Sequence, residues 1–122
     1  MSKRVLLVDD IDFILEFEEK VIQSLEKETG VPIRIDKANT VAEAIRLVDG
    51  FDYDVVIVDM NLPDGTGTEI AKEVLEKNGN TRIAALTIYP ERYQGERAYF
   101  DAYFKKPVLP SVYKENLKLL LG

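Results

Sequence analysis

Five side chains with reactive oxygen or nitrogen groups lie within two residues of the ends of short apolar segments of this sequence. In chain order they are Asp9, Asp10, Asp59, Thr87 and Lys106. Short apolar runs bounded by turn residues are typical of strands buried inside a parallel sheet. The carboxyl ends of parallel strands meet at one edge of the sheet, where ligands usually bind. We therefore expect three carboxylates, one hydroxyl and one ammonium group to share a cleft.

This set of groups suits the transfer of a phosphoryl group. Asp9 and Asp10 offer hard oxygen ligands to Mg²⁺, an ion that keeps several waters and bridges to phosphoryl oxygens. Asp59 is an available carboxylate nucleophile, and an aspartyl phosphate is a known type of covalent intermediate. Lys106 and Thr87 supply a positive charge and a hydroxyl donor to the phosphoryl oxygens. Such chemistry depends mainly on positioning and charge stabilisation, which suits a chain without histidine.

The composition excludes several other classes of protein. The chain has 122 residues, of which 46% are hydrophobic, and this fits one folded domain with a single core. Cysteine and histidine are both absent, so disulfides, thiolate or histidine metal sites and imidazole catalysis are excluded. The net charge of −6 disfavours contact with nucleic acid or anionic membrane. We expect a cytoplasmic domain that binds neither.

Strand-like and helix-like segments alternate along the chain. Strands are predicted at residues 5–8, 33–36, 54–59, 83–87 and 102–104. Helices are predicted at residues 12–28, 40–50, 66–77 and from residue 110 onward. Between the last two strands Pro90 and Gly95 weaken the helical pattern, so at best a short helix covers residues 91–98. The alternation predicts an α/β fold, a flavodoxin-like (βα)5 three-layer sandwich whose parallel sheet has the order 2-1-3-4-5.

Local signals predict how the helices start and which faces are exposed. Thr40 with Glu43, and Thr66 with Glu69, form the capping-box pattern. Asp10 or Asp12 is expected to cap the first helix. The acidic residues of that helix are expected to form a solvated outer face. These are Glu16, Glu18, Glu19, Glu26 and Glu28.

Taken together, the motifs resemble the receiver domain of two-component response regulators over essentially the whole chain. They are Val8-Asp9-Asp10, Asp59-Met60-Asn61-Leu62-Pro63 with Gly67, Thr87, and Lys106-Pro107. The resemblance implies one receiver domain over residues 1–122, with no output domain in this chain. It also implies a signalling domain, not an enzyme that turns over an external substrate. Asp59 would take its phosphoryl group from a phosphohistidine of a sensor histidine kinase or a histidine phosphotransfer protein.

The resemblance assigns roles to the other site residues as well. It implies a Mg²⁺ site formed by Asp9, Asp10, Asp59 and the backbone carbonyl of Asn61. Thr87 and Lys106 would bind the phosphoryl group, and Lys106 is preferred to Lys105 because Pro107 follows it in a bond expected to be cis. Thr87 and Tyr103 would act as a switch for a surface around the fifth strand and the helix before it. The resemblance implies a downstream effector but does not identify it, and it allows a homodimer to form on activation.

Three features depart from the family's usual pattern. Ile88 follows Thr87, where a small residue is usual, so we expect narrower access to the phosphoryl group or slower hydrolysis. Tyr89 also flanks the site. The interval from Thr87 to Lys106 is short by roughly one helical turn, which puts the helix between the fourth and fifth strands in doubt.

Three alternatives remain at this point. The first is a binding module that keeps the receiver fold without phosphorylation. The second is an enzyme of the haloacid-dehalogenase type, which Asp10-Ile11-Asp12 imitates, although Glu115 is the only acid after Lys106. The third is a flavin-binding protein of similar fold, but no phosphate-binding loop rich in Ser, Thr or Gly follows the first strand.

Overall fold

The structure, a computed structural model, describes residues 2–122. Five parallel strands form one sheet in the order β2-β1-β3-β4-β5. The strands are β1 (Lys3–Val8), β2 (Ile33–Ala38), β3 (Val55–Asp59), β4 (Arg82–Thr87) and β5 (Ala102–Lys105). The helices are α1 (Asp12–Thr29), α2 (Val41–Gly50), α3 (Gly67–Lys77) and α4 (Pro110–Leu121). The predicted fold class and strand order are confirmed.

The helices cover both faces of the sheet and create two apolar layers. Side chains alternate along each strand, so Val55 and Ile57 of β3 pack in the layer that also contains residues of α1 and α4. Val56 and Val58 pack in the opposite layer, together with residues of α2 and α3. All of β3 is buried, whereas β2 lies at an edge and is only partly buried, as its polar alternation predicts. Within residues 2–122 no helix combines the length and apolar character needed to cross a membrane.

The helix starts agree only in part with the sequence signals. Thr40 Oγ1 accepts a hydrogen bond from Glu43 N over 3.1 Å, so the first half of the α2 capping box is confirmed. The Glu43 carboxylate accepts instead from Asn39 N, the residue before the cap. The expected capping box of α3 is wrong, because Thr66 makes no side-chain capping bond.

The expected cap of α1 is also wrong. Ile11 occupies the capping position and no side chain caps the helix there. Asp12 is already the first helical residue, and the Ile11 amide donates to Asp9 Oδ1 over 2.9 Å. Asp9 and Asp10, at the end of β1, therefore do not cap α1 and can take part in the cleft.

The segment between β4 and β5 is a 3₁₀ helix, Pro90–Tyr99, interrupted at Tyr93, where φ is −116° and ψ is 20°. No residue of this segment is buried. An isolated short helix without an apolar face to bury has little to stabilise it, so the doubt about an α-helix here is confirmed.

Candidate functional site

Three carboxylates meet at the carboxyl edge of the sheet. Val8 of β1 lies opposite Val58 of β3 in the parallel register, so the residues that follow them lie at the same level. One oxygen from each of Asp9, Asp10 and Asp59 lies within 4.8 Å of the other two. Asp9 and Asp59 are buried, whereas Asp10 is exposed. Such a cluster of hard oxygen ligands, open to solvent on one side, has the chemistry that Mg²⁺ prefers.

Lys106 supplies the positive charge of the cluster. Its Nζ lies 2.7 Å from Asp9 Oδ2 and 3.3 Å from Asp59 Oδ2. Burial lowers the pKa of Lys106, but the hydrogen bond to Asp9 and the charge of Asp59 outweigh it, and the net shift is upward. Lys105 is exposed, and the Lys106–Pro107 peptide bond is cis. The structure thus places Lys106 in the cleft.

Asp9 and Asp59 are held in the same way. Asp9 Oδ1 accepts from the amide of Ile11, and Asp59 Oδ1 accepts from the amide of Asn61 over 3.1 Å. The other oxygen of each carboxylate lies close to Lys106. Burial raises the pKa of Asp59, while the Asn61 amide and Lys106 oppose that rise. A backbone amide therefore orients each carboxylate and leaves its second oxygen close to the Lys106 ammonium group.

Gly67 is required by the close packing behind Asp59. A Cβ atom at this position would lie 2.8 Å from the backbone oxygen of Asp59 and 2.8 Å from Val58 Cγ2. Real Cβ atoms do not approach that closely. The glycine therefore lets α3 begin directly against the end of β3.

Thr87 ends β4 and is buried. Its hydroxyl oxygen accepts a hydrogen bond from the amide of Tyr89 over 3.0 Å, so its own hydrogen is free to be donated. The backbone oxygen of Thr87 accepts from the amide of Lys106 over 2.9 Å. This bond fixes the start of the lysine side chain relative to the end of β4.

Comparison with known proteins decides the family. A model of the response regulator receiver domain family matches residues 5–118. This chain belongs to that family. It is 29% identical to the chemotaxis protein CheY of Halobacterium salinarum over 88% of this chain and 87% of that one. It is 32% identical to the transcriptional regulatory protein ResD of Bacillus subtilis over 97% of this chain and 48% of ResD. The chain also spans 16% and 14% of two still longer relatives.

Solved structures agree with this assignment. The response regulator TrrA of Thermotoga maritima, solved in complex with Mg(2+)-BeF, has a TM-score of 0.78 and 32% identity. That match covers 97% of this receiver and 98% of TrrA. The receiver family is a signalling family of phosphoacceptor domains, so the haloacid-dehalogenase and flavin alternatives are set aside. The family match supports a phosphoacceptor domain and gives no support to a module without phosphorylation, and the three acids and Lys106 do meet in one cleft.

Tyr103 of this receiver lies on β5 and is partly buried. Its hydroxyl is buried without a hydrogen-bond partner among residues 2–122, and burial raises its pKa. The ring packs edge-on against Phe100, with centroids 6.0 Å apart, and the Arg97 guanidinium lies 4.8 Å from the ring centroid. Tyr103 thus connects the sheet edge to the 3₁₀ segment.

Two contacts that shape this receiver site have no signal in the sequence pattern. The Tyr93 hydroxyl donates to Asn61 Oδ1 over 2.7 Å, which links the 3₁₀ segment to the loop after the phosphoacceptor strand. Asp64, in the same loop, accepts from the amides of Val41 and Ala42 at the start of α2, over 2.7 and 3.0 Å. These amide bonds lower the pKa of Asp64. The loop is therefore held from both sides.

The burial of Glu18 is the clearest departure from what the sequence predicts. We expected it on a solvated face, but it is 1% exposed. Its pKa is raised well above the ordinary value, first by burial and then by the nearby charge of Asp9. The residue type concealed this: Glu18 lies three residues after Leu15 and four before Ile22, so the helical spacing places it on the buried face, but an acid is ordinarily expected in solvent.

Proposed function

We propose that Asp59 is the phosphoacceptor of this receiver and that it takes its phosphoryl group from a phosphohistidine. The donor would be a sensor histidine kinase or a histidine phosphotransfer protein. The observation that supports this most directly is the orientation of the Asp59 carboxylate. Asn61 N fixes Oδ1, and Oδ2 lies 3.3 Å from the Lys106 ammonium in a cleft open to solvent.

In the transfer, one carboxylate oxygen of Asp59 forms a bond to phosphorus while the phosphorus–nitrogen bond of the donor breaks. The electron pair of that bond returns to the imidazole nitrogen of the donor. Lys106 stabilises the charge on one phosphoryl oxygen, and the free hydrogen of the Thr87 hydroxyl is donated to another. No side chain of this receiver has to act as a general base, because a carboxylate attacks through an oxygen lone pair and loses no proton in this step.

The residues of the cluster fit a magnesium ion. Three carboxylates against one ammonium leave two negative charges, which a divalent cation balances. We infer that Asp9, Asp10, Asp59 and the backbone carbonyl of Asn61 hold it. When bound there, Mg²⁺ supplies charge neutralisation for the incoming phosphoryl oxygens. The complex of TrrA with Mg(2+)-BeF supports this inference by similarity.

We further infer that Thr87 and Tyr103 couple phosphorylation to a partner-binding surface. A phosphoryl group on Asp59 would draw the Thr87 hydroxyl inward, away from the Tyr89 amide that it now accepts from. The Tyr103 hydroxyl has no hydrogen-bond partner within residues 2–122, so a change of ring position would break only the packing with Phe100 and Arg97. The surface affected is formed by β5 and the 3₁₀ segment, where a downstream effector or a second copy of the chain would bind.

Intact mass after incubation with acetyl phosphate tests the assignment of Asp59. We expect wild type to gain one phosphoryl group in the presence of Mg²⁺, and to gain none with a chelator. Asp59→Asn should gain none, whereas Asp52→Asn, which changes an exposed acid, should behave as wild type. Labelling of Asp59→Asn, or no labelling of wild type with Mg²⁺ present, would refute the assignment.

A further inference from the structure

A second polar site lies beside the phosphoacceptor, at the centre of the packing between α1 and α4. Glu18 of α1 is 1% exposed, and neither of its carboxylate oxygens has a hydrogen-bond partner among the described residues. Tyr113 of α4 is also 1% exposed, and its hydroxyl likewise has no partner in that part of the chain. The charge of Glu18 is close enough to raise the pKa of Tyr113, after burial.

Both side chains line an open cleft of about 570 Å³. Asp10, Asp59 and Lys106 also line this cleft, so it is continuous with the phosphoacceptor site. Its remaining walls are largely apolar and include Phe13, Ile14, Phe17, Ile88, Pro107 and Val108. A cleft of this size, with apolar walls and a few convergent polar groups, is typical of sites for small ligands.

The charges of the cleft favour a cationic ligand. Three of its lining residues are acids, and its one basic lining residue, Lys106, already contacts Asp9 and Asp59. The Glu18 carboxyl group feels the charge of Lys106 but forms no direct ion pair with it. A buried carboxyl group without a hydrogen-bond partner lowers the stability of the fold. An ammonium group has three hydrogen-bond donors, which match the two carboxyl oxygens of Glu18 and the phenol oxygen of Tyr113.

We propose that this cleft binds a small ligand with a protonated primary amine on an apolar body. The ammonium group lies between Glu18 and Tyr113, and the apolar body packs against Phe13, Phe17 and Val108. An anion of the same shape is repelled by the acids, and a neutral alcohol offers one hydrogen-bond donor to Glu18 and Tyr113 where an ammonium group offers three. Glu18 and Tyr113 are not part of the phosphoryl-transfer machinery, so binding between them requires no phosphoryl group on Asp59.

An NMR titration of the full, unphosphorylated chain tests the proposal with three matched probes. These are phenethylamine, phenethyl alcohol and phenylacetate, which carry a cation, a neutral group and an anion on the same ring. We expect phenethylamine to bind at least about tenfold more tightly than the alcohol. Its chemical-shift changes should centre on amides of α1 and α4 around Glu18 and Tyr113.

Glu18→Gln keeps the shape of the side chain and should weaken phenethylamine binding by about tenfold or more. Glu16→Gln, the same change at an exposed position of α1, should leave it unchanged. Equal binding of amine and alcohol would overturn the proposal. So would equal binding by Glu18→Gln and wild type, or shifts confined to the amides of Asp9, Asp10 and Asp59. The titration uses no phosphodonor, so its failure is separate from a failure of Asp59 to accept a phosphoryl group.

Discussion

The Tyr93 hydroxyl donates a 2.7 Å hydrogen bond to the side-chain oxygen of Asn61. This bond joins the interruption of the 3₁₀ segment to a residue two positions after Asp59. Because the rest of that segment buries no residue, we regard the bond as one of its main attachments to the site. It restrains Asn61, whose backbone amide in turn orients the Asp59 carboxylate.

Tyr93→Phe should release the Asn61 side chain and loosen the loop beside Asp59, so we expect both the gain and the loss of the phosphoryl group to become faster. The lost bond is exposed and worth about 1 kcal/mol, so a change of roughly fivefold is expected. Intact mass over time, first with acetyl phosphate and then after its removal, measures both rates. Tyr99→Phe, in the same segment but without this bond, is the control, and identical rates in the two variants would argue against a role for Tyr93.

The sequence predicted the sheet order and the convergence of Asp9, Asp10, Asp59 and Lys106, because buried strands and their polar ends follow simple periodic patterns. It did not predict the Tyr93–Asn61 bond, which depends on the path of an irregular segment that has no apolar periodicity. It also placed Glu18 on the wrong face of α1. An acid is ordinarily solvated, so its residue type outweighed the helical spacing that sets it beside Leu15 and Ile22.

Lys106→Met should destabilise the receiver when Mg²⁺ is absent. Its ammonium group contacts two buried carboxylates, and removing one partner of such a group costs about 3 kcal/mol. Added Mg²⁺ should restore part of the free energy of unfolding, since it replaces the lost positive charge. Phosphoryl gain should still fall by about a hundredfold, because a donor to the phosphoryl oxygens is gone.

Urea unfolding with and without Mg²⁺ measures the stability of this variant. Lys105→Met provides the control, because Lys105 is the neighbouring and exposed lysine. Its free energy of unfolding should stay within about 0.5 kcal/mol of wild type. Equal losses of unfolding free energy in Lys105→Met and Lys106→Met would mean that the contacts of Lys106 with Asp9 and Asp59 do not stabilise the fold.

Glu18→Met should stabilise the receiver, by an amount that grows with pH. The folded pKa of Glu18 is raised by burial and by Asp9 and Asp59, with Lys106 opposing. A raised folded pKa contributes stability that is fully present below the unfolded pKa of about 4.3 and is lost as pH rises through the folded value. Methionine does not titrate, so the variant does not lose this stability as pH rises. It also removes an unpartnered buried carboxyl group, which destabilises the wild type by about 1–3 kcal/mol.

The free energy of unfolding of wild type and Glu18→Met, measured from about pH 4 to about pH 8 without Mg²⁺, checks this expectation. Glu16→Met is the matched control, and its difference from wild type should stay small and nearly independent of pH. A constant or shrinking gap between wild type and Glu18→Met would contradict the prediction.

Ile88→Ala should open the cleft at the phosphoacceptor. Ile88 follows Thr87, is 49% exposed, and lines the same cleft as Asp59 and Lys106. Truncating a half-exposed side chain should change the free energy of unfolding by no more than about 0.5 kcal/mol, so any effect on rate reports access. We expect faster phosphoryl gain from acetyl phosphate and faster loss, each by a fewfold.

Ile11→Ala separates the two explanations, since Ile11 is 50% exposed and lines the same cleft from the side of α1. Acceleration in Ile88→Ala alone would assign the restriction to the residue after Thr87, whereas equal acceleration in both variants would show that the width of the whole cleft sets the rate.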